Sequence, residues 1–311
     1  MILPTLIKLQ SRMDAKLKVR NCYPQDADDS AAYEQLKEGA VFAHLLSKPD
    51  YRVDENLFLA ETDGVIVGFV NVLPELGINR AVLDYAGNPS YKLTALLPEL
   101  IKCALKRARQ LRAAVAHLNI PLVETAPAEV LSNLGFKPVR RFCDMRLNIS
   151  DIDLKGADRL DWAYRYFKDG DEETLSDIQN RCFVGTWGYN PNTVEDTAWQ
   201  LKVRNNCPED IVLAMDKGGV IGYCWTESEC GQEPSTGERK GRIYMLGVDS
   251  RYRTSGLGRQ LIRMGLLHLK KQGRELIDIT VDTQNVAAVT LYRSLGFQLY
   301  RETVWYEKGL H

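Results

Sequence analysis

With 311 residues the chain is long for one ordinary domain and comfortable for two, each able to bury a core of its own. An apolar fraction of 45%, a charged fraction of 26% and a net charge of -1 exclude any overall electrostatic pull toward nucleic acid or an anionic membrane, so a basic site must be local. Seven cysteines without Cys-x-x-Cys spacing and four histidines without ligand spacing imply neither a disulfide framework nor a metal centre, and a reducing, cytoplasmic setting is expected. Met1 to Leu9 is apolar but short and lacks a cleavage pattern, and no run approaches a membrane span.

From Leu17 the pattern predicts a strand to Arg20, a helical region through Leu46, and strands Asn56 to Glu61 and Val65 to Val72 around the hairpin signal Thr62-Asp63-Gly64. A strand at Ala81 to Tyr85, an amphipathic helix at Leu93 to Leu111, a strand at Ala113 to Leu118, a short helix at Ala128 to Leu134 and a strand at Val139 to Leu147 follow. The same order recurs: strand Trp162 to Phe167, helix Asp171 to Phe183, strands Asp210 to Met215 and Val220 to Thr226, helix Leu257 to Lys271, strand Leu276 to Val281, helix Val286 to Leu295 and strand Gln298 to Tyr306. Leu134-Gly135-Phe136 against Leu295-Gly296-Phe297 marks the register, and polar Asn148 to Asp158 reads as the linker. The expected fold is α+β, with tandem domains 1–150 and 155–311, each a mixed, mostly antiparallel sheet with flanking helices.

The stretch Gly241 to Gly258 carries the chemistry. Its strand enters a turn where Arg251 and Arg253 bring positive charge, Gly256 and Gly258 permit close approach, and a helix from Leu257 aims its N-terminus at the turn. That combination suits a phosphate or pyrophosphate. No Lys-Ser/Thr pair follows the glycines, and the first glycine of a dinucleotide fingerprint is absent, which counts against those two loops.

Arg253-Thr254-Ser255-Gly256-Leu257-Gly258 resembles the pyrophosphate turn of the GNAT acyltransferase superfamily, and Asn285-Val286-Ala287-Ala288-Val289-Thr290-Leu291-Tyr292 resembles the second half of that family's pattern. The resemblance spans Gly241 to Tyr300. It implies acetyl-CoA as cosubstrate, held by Leu246, Gly247, Val248, Arg253 to Arg259, Asn285 and Ala288, and direct transfer of acetyl to an amine of a small molecule, with no metal. Tyr292 would assist the leaving thiolate, and backbone N–H groups near Leu246 to Val248 would stabilise the oxyanion. For a base, Glu227 and Glu229 are the best-placed carboxylates, and Trp187 and Tyr189, in the loop Gly185 to Pro191, are expected to wall the acceptor pocket. Peptide acetylation, or acyl-CoA binding without catalysis, stays open.

The first repeat has Asn88-Pro89-Ser90-Tyr91-Lys92 in place of the glycine turn, Glu124 opposite Asn285 and Leu131 opposite Tyr292. A degenerate half before a competent one resembles the mycothiol synthase type. That type carries a glutamate base where this chain has Arg242, whose guanidinium stays charged and cannot serve as base.

Overall fold

The computed structural model describes residues 17–36, 48, 50–159, 161–204, 206–228 and 236–311. In chain order these form β1 (Lys18–Asn21), α1 (Ala27–Leu36), α2 (Val53–Asn56), β2 (Leu57–Thr62), β3 (Val65–Glu75), β4 (Arg80–Gly87), α3 (Leu93–Gln110), β5 (Val115–Pro121), α4 (Thr125–Asn133) and β6 (Lys137–Asn148). There follow β7 (Ala163–Tyr166), α5 (Glu172–Phe183), α6 (Val194–Val203), β8 (Ile211–Asp216), β9 (Gly219–Glu227), β10 (Lys240–Val248), α7 (Leu257–Lys271), β11 (Leu276–Asp282), α8 (Val286–Ser294) and β12 (Gln298–Gly309).

Two compact units result, one made of residues up to Val139 together with Val304–His311, the other of Arg140–Thr303. In the first, the strands run β1-β2-β3-β4-β5 and then the end of β12; β4 and β5 are parallel, and the pairs before them antiparallel. Helix α3 lays Leu97, Leu100, Ile101 and Ala104 on Val67, Val70, Ala81 and Leu83. The β2–β3 turn is closed by Asp63 and Gly64, both at positive φ (50° and 75°), as a two-residue hairpin requires.

In the second unit the order is β6-β11-β10-β9-β8-β7, with β10 and β11 parallel and the other neighbours antiparallel. One face takes α7, whose Leu261, Ile262, Leu266 and Leu269 pack on Ile243, Met145, Ile277 and Ile279. The opposite face takes α5, with Leu175, Ile178 and Cys182 against Leu213, Tyr223 and Trp225. Both Leu-Gly-Phe marks cap a helix alike: Gly135 and Gly296 lie at φ 82° and 96°, and the Phe136 and Phe297 N–H groups reach back to the Leu131 and Tyr292 carbonyls at 2.9 and 3.1 Å.

The division into 1–150 and 155–311 is corrected. Strand β6 pairs with β11 from Phe142 to Asn148, and Ile149, Leu154 and Ala157 of the expected linker are buried in the second core. The end of β12 belongs to the first unit, where the Leu310 N–H bonds the Ala114 carbonyl at 3.0 Å and His117 Nε2 lies 2.8 Å from Glu307 Oε2. Each repeat therefore contributes its last strand to the other unit. The short α2 was not expected, β12 runs on to Gly309, and residues 37–47 of the helical region expected through Leu46 lie outside the described residues.

Gly265 sits inside α7 where a Cβ would lie 2.7 Å from Cys224 Sγ and 3.0 Å from Thr226 Cγ2, both on buried residues of β9. Alanine would improve helix propensity by about 1 kcal/mol but overpack the helix against the sheet by about 1–3 kcal/mol. Gly265→Ala should therefore lower the melting temperature; an unchanged or higher value in thermal unfolding would show that the sheet yields.

Candidate active site

The site begins with a lost pairing. Parallel partners between β10 and β11 are Lys240↔Leu276, Gly241↔Ile277 and Arg242↔Asp278, and the pairing stops there, while β10 stays paired with β9 as far as Val248↔Gly222. The β9 register slips between Ile243 and Met245, leaving Tyr244 as an extra residue, a bulge that bends the strand away from β11. Beyond it the Asp249 N–H bonds the Ile221 carbonyl at 2.9 Å, so the alternation of an extended strand directs the N–H groups of Val248 and Leu246 the other way, into the gap. Gly247 faces β9 by the same alternation. A Cβ there would lie 2.5 Å from Tyr223 Cε1 and 3.0 Å from Cys182, which is why the position takes glycine.

At the end of β10, Thr254 and Gly256 lie at φ 67° and 87° on either side of Ser255. A β-branched residue at positive φ is a steric outlier, and a backbone of alternating hand curls successive N–H groups toward one concave side. Gly256 is the N-cap of α7 and faces open space, whereas Gly258 lies under Val248 and Leu291, 3.6 and 3.8 Å from a Cβ placed on it. The Arg259 guanidinium bonds Ser294 Oγ at 2.6 Å, which ties the start of α7 to the end of α8. Asn285 caps α8, its Oδ1 accepting from the Ala288 N–H at 3.2 Å. The two separate motifs thus meet around one gap.

Charge at the turn is partly spent internally. The buried Asp249 carboxylate accepts from the Arg251 N–H, Nε and Nη2 at 3.0–3.1 Å and from Arg181 at 2.8 Å. Arg253 donates to the Cys182 carbonyl at 2.9 Å and stays exposed. Leu257 is buried as the first helical residue.

Tyr292 is buried at 6% exposure, beside Phe297, and burial pushes its phenol well above the ordinary range. No hydrogen bond to its hydroxyl is found among the described residues. Glu227, at the end of β9, is paired with Arg204, which lies 3.7 Å above the Tyr244 ring. Glu229 lies outside the described residues. Tyr189 stacks on Phe183 at 5.2 Å and donates to Asn180 Oδ1 at 2.9 Å; it is half-buried in its own loop, and desolvation pushes its phenol up to about 12. Trp187 is half-buried, 6.0 Å from Phe142 and under the Arg140 guanidinium at 5.8 Å.

Sequence reasoning missed the floor below Trp187. Cys143, Met145, Leu147, Ile277, Ile279 and Val281 alternate into the apolar core, so Phe142, Asp144, Arg146, Asp278, Thr280 and Asp282 share the other face. There Arg146 bonds Asp278 twice (2.6 and 2.8 Å), Arg140 bonds Asp282 (2.8 Å), Arg301 bonds Asp144 (2.8 Å), and Thr280 donates to Asp144 (2.6 Å). Charged residues alternating with apolar ones in Phe142 to Leu147 were the available signal.

Residues 172–297 match the family described as acetyltransferase (GNAT). A mycothiol acetyltransferase from Arthrobacter sp. strain FB24 is 30% identical over 279 residues, covering 87% of this chain and 83% of that protein. The chain belongs to the GNAT acetyltransferase family. Among solved structures, a tandem GNAT protein from the clavulanic acid biosynthesis pathway superimposes with a TM-score of 0.69 at 15% identity, over 95% of this chain and 99% of that one. A Saccharomyces cerevisiae N-myristoyltransferase with bound myristoyl-CoA superimposes at 0.68 and 13% identity, over 97% and 83%. The GNAT fold is thus common to both, and the protein is an acetyltransferase enzyme.

Asp249 supplies a pH test of the turn. Its hydrogen bonds from Arg251, with the nearby Arg181, hold the carboxyl down to about 2. A depressed acid stabilises the fold above its unfolded pKa near 4, and the contribution is lost as pH falls through about 2. Asp249→Asn should lower the melting temperature at pH 7 by about 2–6 °C, and the gap to wild type should shrink between pH 4 and 2. A gap independent of pH would show that the arginines do not act through the carboxylate.

Proposed function

We propose that the second unit is an acetyl-CoA-dependent N-acetyltransferase acting on an amine of a small molecule. The observation that carries this reading is the gap beyond Arg242↔Asp278, with the N–H groups of Leu246 and Val248 directed into it and the Gly256 turn at its end. An extended pantetheine arm can pair with β10 in place of β11, and a pyrophosphate can take the N-terminus of α7. The myristoyl-CoA bound by the yeast enzyme and the acetyl transfer in the names of the relatives support a CoA thioester as donor.

In the transfer, the amine nitrogen attacks the thioester carbon and the C–N bond forms as the carbonyl π pair moves onto oxygen; collapse of that tetrahedral oxyanion breaks the C–S bond, and the thiolate departs as CoA. N–H groups on the open side of β10 are placed to hold the oxyanion. A free phenol near pKa 10 already lies about 1.5 units, or roughly 2 kcal/mol, above a thiol near 8.5. Burial widens that gap for Tyr292, so the phenol donates a hydrogen bond to the thiolate rather than its proton. The incoming ammonium, about a thousandth neutral at pH 7 for an alkylamine, must lose a proton before attack. Glu227, the expected base, is engaged in an ion pair with Arg204. That ion pair favours a second reading, acyl-CoA binding without transfer, which release of CoA across a panel of amines separates from the first. The mycothiol precursor of the named relatives is one candidate acceptor; Arg242 at the family's base position favours the wider class of small amines.

Calorimetry on the full chain should give one acetyl-CoA site, since in the first unit the corresponding loop is closed by Asn88 Oδ1 on the Ser90 N–H at 2.9 Å and Leu131 stands fully buried. Gly256→Glu should abolish that binding by placing a carboxylate at the phosphate position, while Gly256→Ala isolates the strain of positive φ, about 1–2 kcal/mol. Unchanged affinity in Gly256→Glu would make the turn purely structural.

Tyr292→Phe keeps the ring and its packing on Phe297 and removes the hydroxyl. The expected result is a fall in kcat of roughly ten to a thousandfold, about 1.4–4 kcal/mol, with acetyl-CoA affinity and melting temperature held. Full activity in the phenylalanine variant would assign the residue to packing alone.

A further inference from the structure

The arginines on the floor of the second unit are not equivalent. Arg140, Arg146, Arg204 and Arg301 are each held by a carboxylate, Asp282, Asp278, Glu227 and Asp144 respectively. Arg242 is different. Its one hydrogen bond among the described residues goes from Nη2 to the neutral Thr280 Oγ1 at 3.1 Å, and Thr280 in turn donates to Asp144. The carboxylates nearest to it by register, Glu227 on β9 and Asp278 on β11, are those already taken by Arg204 and Arg146.

Position gives this its meaning. Arg242 is the last residue of β10 paired with β11, so it stands at the fork of the gap, half-buried, on the face opposite Ile243 and the α7 core. Thr280 and Asp144 lie on the polar face that Phe142 and Trp187 border. A guanidinium has five N–H donors in a planar fork matched to a carboxylate or phosphate, and most of these are unused here. Among the described residues, a floor whose other arginines are neutralised leaves Arg242 as an unmatched positive charge at the fork of the gap.

We propose that Arg242 is a specificity-determining residue that binds an oxyanion on the acceptor, so that the amine acetylated belongs to a molecule carrying a carboxylate or a phosphate within a few bonds of its nitrogen. This rests on the acetyl-transfer reading above. The anion would bond the open edge of the guanidinium and leave the amine over the gap between β10 and β11. Charge-assisted, two-point binding of this kind contributes about tenfold to a hundredfold in kcat/KM. Glutamine at the same place keeps a polar side chain but is shorter, has no charge and lacks the fork.

The test uses the full chain, acetyl-CoA and matched acceptors: phenylalanine against phenethylamine for a carboxylate, and phosphorylated glucosamine against glucosamine for a phosphate. The wild type should favour the anionic member of at least one pair by about tenfold or more, and the pair that shows it identifies the anion. Arg242→Gln should erase the preference through KM, Arg242→Lys should restore part of it, and acetyl-CoA affinity by calorimetry should stay level in both. Equal or reversed preference in the wild type, a preference that survives in Arg242→Gln, or no turnover of any of these amines by a chain that binds acetyl-CoA would overturn the proposal. Failure to bind acetyl-CoA would instead sink the reading it rests on.

Discussion

A strand that keeps one neighbour and gives up the other is the constraint on which the second unit depends. Tyr244 inserts one residue into β10, and from there the strand follows β9 and leaves β11. Inside a sheet such a departure strands backbone N–H and C=O groups, which are costly unless water or a ligand meets them. The bulge is held in place from outside the sheet: Tyr244 packs edge-on against Trp225 at 5.0 Å, lies beneath Arg204 at 3.7 Å and reaches Gln200 with its hydroxyl at 3.3 Å. The ion pair from Arg204 to Glu227 anchors the same corner. The Glu227 carboxylate, by holding Arg204 over the Tyr244 ring, thus helps to keep the gap open.

The sheet separates its tasks by face. Alternation sends Ile243, Ile277, Ile279 and Val281 toward α7, a dry core that fixes the positions of the turn and of Tyr292. The same alternation puts paired charges on the other side, where Arg140, Arg146, Arg204 and Arg301 each have a carboxylate partner. Ion pairs at such partly exposed positions contribute little to stability. Their effect is on the local field, which they flatten around Arg242 while leaving its own charge standing.

Much of this was legible in the sequence because it is encoded locally. Asp63-Gly64 announced a hairpin, Leu93 to Leu111 and Leu257 to Lys271 showed helical periodicity, and the Leu-Gly-Phe marks aligned the halves. The turn at Gly256 could be read for the same reason, since positive φ at a helix start selects glycine. What escaped is set by register between distant segments. Periodicity states which face a residue occupies, not which strand lies beside it, so neither the bulge at Tyr244 nor the polar ladder of β6 on β11 could be read. The extent of β6 and β12 was nearly right while their partners were assigned to the wrong repeat. Tyr189, an aromatic in a loop, looked the same in sequence whether it faced a ligand or pinned its own turn.

The reciprocal placing of β6 and β12 has a consequence for the order in which the chain is made. During synthesis from the N-terminus, β5 emerges long before Val304–His311, which will lie along it, so the edge of the first unit waits for nearly the whole polypeptide. Strand β6 meanwhile waits for β11, its partner from Phe142 to Asn148. A nascent first repeat is therefore an unfinished object with an open sheet edge, the kind of surface that recruits stray strands. Loop closure across such separations is slow. Neither repeat can be released early as a finished domain, and the two halves of this enzyme are completed together or not at all.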